Sequence, residues 1–517
     1  MATQNPNADV LLLVPDAGGF VTPDLAGNKN FRVEMGRDIT VNNPKNSAPG
    51  FEFTLEMKQL SPGGFKAKFG SRFFVDSKAP PMLSRPAHSL DIYRGYDAGV
   101  DGYRRIGWLP GPGAAMAPAT VPPVIIPPVI IPPVNGPRYP WAARLAPYVD
   151  GSIVPAGGIT QAARDKHCTD QFNYWKTGNA PGLGGIYPAF QGDPNRVVSE
   201  GIGYAMILAA LFAGYDPGAQ KLFDAIYNVA RTHPAYGIGE PDLMEWRLNR
   251  TYGNNGSDGW GYCAPDGDFD IAYGLLMADR QWGSAGAVDY KTRAVAVISA
   301  LKRHVFRRGD FTSRSGGRDD LTRMSDYMTG HYKAFKKATG DVFWDACGDK
   351  AFSLLTRCQS VLSPVGLVPD FLIHMDTATP IADRDHIGDE SPWSDCFFWN
   401  SCRMALRLGC DYLTTGDVRA RASGSKLVDF FDKKHGGNPG LITNGYRMDG
   451  SEIYPGSGYH PDVFIATLAP AAMGEARLQT YLDAVWNESN MRRATGYYGT
   501  ELQLMSMTVA AGNWWTP

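Results

Sequence analysis

The chain is short of cysteine, has no surplus of basic charge and contains no long apolar run, and each shortage removes a class of function. Its seven cysteines, at 168, 263, 347, 358, 396, 402 and 410, are odd in number and never spaced Cys-x-x-Cys. Neither a zinc site nor a disulfide scaffold is indicated, and no metal or cofactor is expected. Lys plus Arg (50) and Asp plus Glu (52) nearly cancel to a net charge of −2. Without a basic tract to follow a phosphate backbone, nucleic acid is excluded as the expected partner. No stretch approaches the roughly 18 uninterrupted apolar residues of a membrane span, and the first residues lack a basic head followed by an apolar run. No membrane partner and no export signal are read from the sequence. What is present is 44% hydrophobic and 20% charged residues in 517, enough for one large core and a second, smaller domain.

Residues 1–110 alternate short apolar runs with turn residues, as in 10–14, 51–57, 65–69 and 72–75. Period-two alternation, with Ser61-Pro62-Gly63-Gly64 between two of the runs, predicts a hairpin there and a small β-rich domain overall. A carbohydrate-binding module and an attachment domain that assembles or self-associates through residues 1–110 both fit this pattern. Residues 111–137 change texture, with VPPVIIPPVIIPPV at 121–134. Proline at that density favours polyproline II, so this stretch reads as a stiff linker. Residues 138–517 carry periodic apolar segments separated by Gly-, Asp-, Asn- and Trp-rich loops. Helices are predicted over 160–176, 199–213, 218–231, 268–281, 287–305, 325–338, 341–358, 395–412, 417–434, 461–472, 475–487 and 498–511. A dozen helices with long loops suit an α/α barrel.

Two stretches carry acids at predicted helix starts. In Ser199-Glu200-Gly201-Ile202-Gly203-Tyr204, Ser199 reads as the cap and Glu200 falls in the first turn. An acid there complements the helix dipole, which is the bland reading. The two glycines weaken it, because each costs about 0.5–1 kcal/mol relative to Ala inside a helix and implies close approach. In Ala264-Pro265-Asp266-Gly267-Asp268-Phe269-Asp270, three alternate acids fail the spacing of a calcium-binding EF-hand, whose sixth and twelfth positions would be Ile271 and Met277. If the inner helices of a barrel start at one end, both acid motifs converge there.

These motifs, together with Leu243-Met244-Glu245-Trp246-Arg247, Ser325-Asp326-Tyr327-Met328, Asp389-Glu390-Ser391, Asn400-Ser401-Cys402-Arg403 and Gly512-Asn513-Trp514-Trp515, resemble glycoside hydrolase family 8 from about residue 138 to the end. The resemblance implies an all-α (α/α)6-barrel catalytic domain over 138–517 and an inverting, endo-acting hydrolase of β-1,4-linked polysaccharide, glucan or chitosan, working outside the cell. Glu200 would be the general acid, and Asp266 would bind and distort the sugar. Pro265 departs from the usual Ser or Thr. In many members the base is an Asp in a segment Asp-Ala-x-Arg, where this chain has Asn400, and an amide cannot take a proton from water. A subgroup of bacillus chitosanases and β-glucanases shares the Asn and draws its base from a Glu in an inserted Asp-Glu-Ser loop, so the resemblance points to Glu390.

Inversion requires one carboxyl kept protonated and one carboxylate activating water, about 6.5–9.5 Å apart. A helix N-terminus alone would make Glu200 more acidic, so apolar burial and Asp266 are expected to oppose it. Sugar C–H faces stack on aromatic rings, and Tyr204, Trp246, Trp260, Tyr262, Tyr327, Trp393, Phe397, Phe398 and Trp399 crowd these loops, although any one of them is more ordinary as core. The substrate-binding set read from the sequence is Tyr204, Trp246, Trp260, Asp268, Asp326, Trp393, Asn400 and Arg403. A competing reading makes the chain a surface- or virion-borne glycan-binding or depolymerising protein anchored by its N-terminal domain.

Overall fold

The computed structural model describes residues 10–16, 20–23, 30–35, 38–41, 52–59, 67–69, 73–74, 90–97, 103–109, 136–179, 189–190, 193–249, 261–307, 309–315, 319–373, 381–382 and 393–517. The chain divides into two compact units, 1–130 and 131–517, with the boundary inside the proline-rich stretch.

The first unit is built of β1 (Val10–Leu13), β2 (Phe20–Val21), β3 (Asn30–Met35), β4 (Ile39–Val41), β5 (Glu52–Gln59), β6 (Ala67–Phe69), β7 (Phe73–Phe74), β8 (Leu90–Asp97) and β9 (Tyr103–Leu109). Strands β1, β3 and β5 pair in parallel in one sheet, and β2, β4 and β6 pair in parallel in another. Parallel neighbours need a crossover, and here each crossover contributes a strand to the other sheet. The turn predicted at 61–64 lies outside the described residues, and the two strands that flank it, β5 and β6, pair with other strands rather than with each other. Both edges of β5 are taken, by β3 and by antiparallel β8, while β6 joins β4. Period-two alternation identified the strands but carries no information about their partners. An antiparallel pair does occur between β8 and β9. Among the described residues of this unit, Val21, Phe31, Val33, Ile39, Val41 and Leu55 are buried apolar residues.

The second unit is a double ring of helices. In chain order these are α1 (Gln161–Asn179), α2 (Ser199–Leu211), α3 (Ala219–Thr232), α4 (Pro265–Trp282), α5 (Tyr290–His304), α6 (Thr329–Thr339), α7 (Phe343–Arg357), α8 (Met404–Thr415), α9 (Val418–Lys434), the broken pair α10 (Asp462–Ala466) and α11 (Leu468–Ala472), α12 (Gln479–Met491) and α13 (Gly496–Ala510). An inner ring runs α2, α4, α6, α8, α11, α13 and closes back on α2. Helices α3, α5, α7, α9, α12 and α1 pack outside successive members of that ring. Burial follows position: every residue of α2 is buried, whereas α3 buries one face, Leu222, Phe223, Ile226, Tyr227, Val229 and Ala230. This is an (α/α)6 barrel. Among the described residues, no helix is long and apolar enough to cross a membrane.

Helices α2 and α4 lie unusually close and parallel. A Cβ on Gly203 would fall 2.5 Å from the Asp270 Cβ and 2.9 Å from the Gly267 oxygen, and one on Gly267 would fall 2.3 Å from the Ser199 Oγ. The approach that Gly203 implies is therefore made by a neighbouring helix. Ser199 is not the cap: Val198 holds that place in extended conformation, and Ser199 is already helical, its N–H donating to the Trp246 oxygen at 2.9 Å. Pro265 sits in the first turn of α4, where its missing N–H costs nothing.

Short strands decorate the barrel end where α2 and α4 begin. They are β10 (Ala189–Phe190), β11 (Asp193–Val198), β12 (Pro234–Ala235), β13 (Glu240–Met244), β14 (Arg247–Asn249), β15 (Leu321–Arg323), β16 (Phe371–Ile373) and β17 (Ile381–Ala382). The helix predicted over 395–412 starts only at Met404. The N–H groups of Phe398, Asn400 and Ser401 donate to the Asp370 carboxylate, which holds this segment as loop and tight turn.

Candidate active site

Parallel packing of α2 on α4 brings Glu200 and Asp266, both in first turns, to one end of the barrel. Arg403, fully buried just before α8, joins them: its Nη1 donates to Glu200 Oε1 and to Asp266 Oδ2, the latter at 2.7 Å. Its Nη2 donates to Ser325 Oγ at 2.6 Å and to Asn400 Oδ1 at 2.8 Å. Arg323, the last residue of β15, reaches Asp266 Oδ1 at 2.7 Å, Asp326 Oδ1 at 2.8 Å and Asn400 Oδ1 at 3.2 Å. Glu200 is further held by two phenols, Tyr204 donating to Oε1 and Tyr497 to Oε2, each at 2.9 Å. Burial pushes both phenols well up from their ordinary value, so they remain donors. Glu200 keeps 8% of its surface exposed, against 2% for Asp266 and none for Asp326.

Beneath this layer, Asp270 is buried and ion-paired to Arg407 at 2.8 and 2.5 Å and to His331 at 2.8 Å. The Arg407 guanidinium lies 5.5 Å from the centre of the Tyr204 ring. The Asp270 carboxyl is held below its ordinary range by Arg407 and His331 despite its burial.

The residues from 172 to 512 match the family model described as glycosyl hydrolases family 8. The chain belongs to glycoside hydrolase family 8. It is 35% identical over 379 residues to a beta-glucanase of Niallia circulans, covering 71% of this chain and 90% of that one. An endoglucanase of Bacillus sp. (strain KSM-330) is 29% identical, over 71% of this chain and 80% of its own. Among solved structures, the apo beta-1,3-1,4-glucanase from Paenibacillus sp. X4 superposes with a TM-score of 0.68 at 33% identity, covering 74% of this chain and all of that one. A xylanase of the same family from Teredinibacter turnerae, in complex with xylohexaose, shares the fold at a TM-score of 0.57 and 22% identity, over 69% and 95% of the two chains. The family 8 member described here is thus a glycoside hydrolase built on the (α/α)6 barrel.

The structure brings Glu200, Asp266, Asn400, Arg403 and Asp326 into one cluster. Three of the expected sugar contacts, Tyr204, Asp268 and Asp326, are fully buried. Tyr204 and Asp326 serve the acids and Arg323, and Asp268 Oδ1 accepts the Met244 N–H at 2.8 Å. Burial pushes the Asp268 carboxyl well up. Trp246 is half-buried, its main chain joined to Ser199 and Tyr262 and its ring under the Arg247 guanidinium at 4.8 Å. Trp393 is half-buried and donates to the Tyr454 hydroxyl at 2.6 Å. Trp260 and Glu390 lie outside the described residues. Three residues of the site were not read from the sequence. Tyr497 opens the last inner helix, and the logic that singled out Glu200 applies to it equally. Arg323 stands two residues before the Ser325-Asp326 motif. Asp370, alone among apolar neighbours in Val368-Pro369-Asp370-Phe371, gives no local signal.

Proposed function

We propose that the enzyme is an endo-acting, inverting hydrolase of β-1,4-linked glucan, with Glu200 as general acid, Asp266 as the sugar-positioning carboxylate and Glu390 as general base. The observation that carries this reading is the paired geometry of Glu200 and Asp266 around one guanidinium, with Glu200 the acid that retains contact with solvent. Among the described residues the cluster sets three carboxylates, Glu200, Asp266 and Asp326, against two guanidiniums, Arg403 and Arg323. One proton on a carboxyl makes this buried cluster neutral, which low polarity favours. On Glu200 that proton is placed for the leaving glycosidic oxygen. Glu390, ten residues before Asn400 in the sequence, would then activate water from the other face of the sugar. The activities for which the relatives are named, beta-glucanase, endoglucanase and beta-1,3-1,4-glucanase, support a glucan with β-1,4 bonds.

The test is reducing-end release from mixed-linkage β-glucan, carboxymethylcellulose and chitosan. Release from the glucans is expected, and release from chitosan alone overturns the substrate reading. Glu200→Gln and Glu390→Gln should each lower kcat by roughly a thousandfold or more. A Glu390→Gln enzyme of undiminished activity would remove Glu390 from the role of base.

A further inference from the structure

We propose that Asp370 and Asn400 are positioning residues for the acid pair, and that Asp370 is the reason position 400 holds an amide. The inference rests on the reading of Glu200 and Asp266 as the acids at the reacting centre.

Guanidiniums only donate, so the Asn400 atom that meets Arg403 Nη2 at 2.8 Å and Arg323 Nη1 at 3.2 Å is its carbonyl oxygen. That orientation turns the amide nitrogen toward Asp370, to whose Oδ2 it donates at 3.1 Å. Asp370 is fully buried and receives three further N–H groups, from Phe398 and Ser401 on Oδ1 at 3.0 and 2.8 Å and from Asn400 on Oδ2 at 3.0 Å. Burial pushes its carboxyl up, against the opposing pull of the Ser401 and Asn400 donors. With two bonds on each oxygen, Asp370 is occupied as an acceptor throughout. Its placement is reinforced from the backbone: β15 pairs with β16 so that Arg323 lies opposite Phe371, and the Met324 N–H donates to the Asp370 carbonyl at 3.3 Å.

The Asn400 side chain is therefore required to accept on one side and donate on the other, which an amide does and a carboxylate does not. An aspartate at 400 would set a negative oxygen where Nδ2 now stands, 3.1 Å from a carboxylate, and its other oxygen would face two guanidiniums. It would pull Arg403 and Arg323 away from Glu200 and Asp266. It would not be free to activate water.

The experiment compares kcat, KM, melting temperature and pH–rate profile of the full chain for Asn400→Asp, Asp370→Asn combined with Asn400→Asp, and Glu390→Gln with and without Asn400→Asp. Asn400→Asp is expected to lower kcat by about a hundredfold with little change in KM, and to displace the pH–rate profile, because misplaced acids fail in the reacting step. Adding Asp370→Asn should restore part of kcat by returning a donor to face the carboxylate at 400. Asn400→Asp should leave Glu390→Gln as inactive as before. An unchanged kcat and profile in Asn400→Asp, or recovery of Glu390→Gln by it, overturns the proposal. If Asn400→Asp does not fold, Asn400→Ala gives the same readout, with a displaced pH–rate profile expected and an unmoved one overturning it. Glu200→Gln run alongside separates the two readings. An active Glu200→Gln overturns the site itself, whereas an inactive one beside an unaltered Asn400→Asp overturns this inference alone.

Discussion

Glu200 shows how a single side chain is made into a chemical device. Its two oxygens are fixed by Tyr204, Tyr497 and Arg403, which come from α2, α13 and the turn before α8, so three inner-ring elements must close before it is aligned. A second buried acid, Glu501 on α13, has no such circle. Among the described residues it accepts only from the Trp175 indole N–H, at 2.8 Å, and burial pushes its carboxyl well above the ordinary 4.5. Folded Glu501 thus holds a proton that the unfolded chain releases once pH exceeds that ordinary value, so this group's contribution to stability falls as pH rises. Glu501→Gln removes that dependence, and melting temperature measured from about pH 5 to about pH 8 should show the variant's advantage widening with pH. An equal difference at both ends would mean that Glu501 titrates alike in the two states. At this scale the sequence was informative where a residue stood in a recognisable motif, as with Glu200, Asp266 and Arg403. Asp370 was invisible because three of its four donors described above are main-chain N–H groups, which have no identity in a sequence.

Among the elements, α2 and α4 decide the geometry of the site. Their separation is set by Gly203, Gly267 and Gly274, the last with Met206 Cβ 3.1 Å from where its own Cβ would be. Gly203→Ala is expected to cost about 1–3 kcal/mol of stability, by the ordinary penalty of overpacking, with a loss of kcat because the helices carry Glu200 and Asp266. Denaturant unfolding and kinetics on the same sample check both, and full stability with full activity would mean that the helices can part without consequence. Helix existence was legible from apolar runs such as that of α2, buried at every residue, and from one-sided patterns such as that of α3. Helix starts were less so: α8 begins at Met404 because Asp370 takes the N–H groups that an earlier turn would have used.

For the whole molecule, the barrel was legible as a count of periodic segments, while the arrangement of residues 1–109 was not, because alternation marks a strand without naming its neighbour. The family match lies at 172–512, within the second compact unit. Residues 131–517 alone should therefore hydrolyse soluble glucan with a kcat close to that of the full chain, measured side by side on the same substrate; a large loss would assign the first unit a part in turnover. The two units also differ in how they would come apart. The barrel closes on itself where α13 meets α2, so no helix of the inner ring is an end from which it can unravel. The strands from β1 to β6 wind alternately through two sheets, and among the described residues β1 and β2 each have a partner on one side only. Under tension applied at the N-terminus, the first unit would yield coil by coil, β1 and β2 before β3 and β4, while the barrel would resist until it opened as a whole.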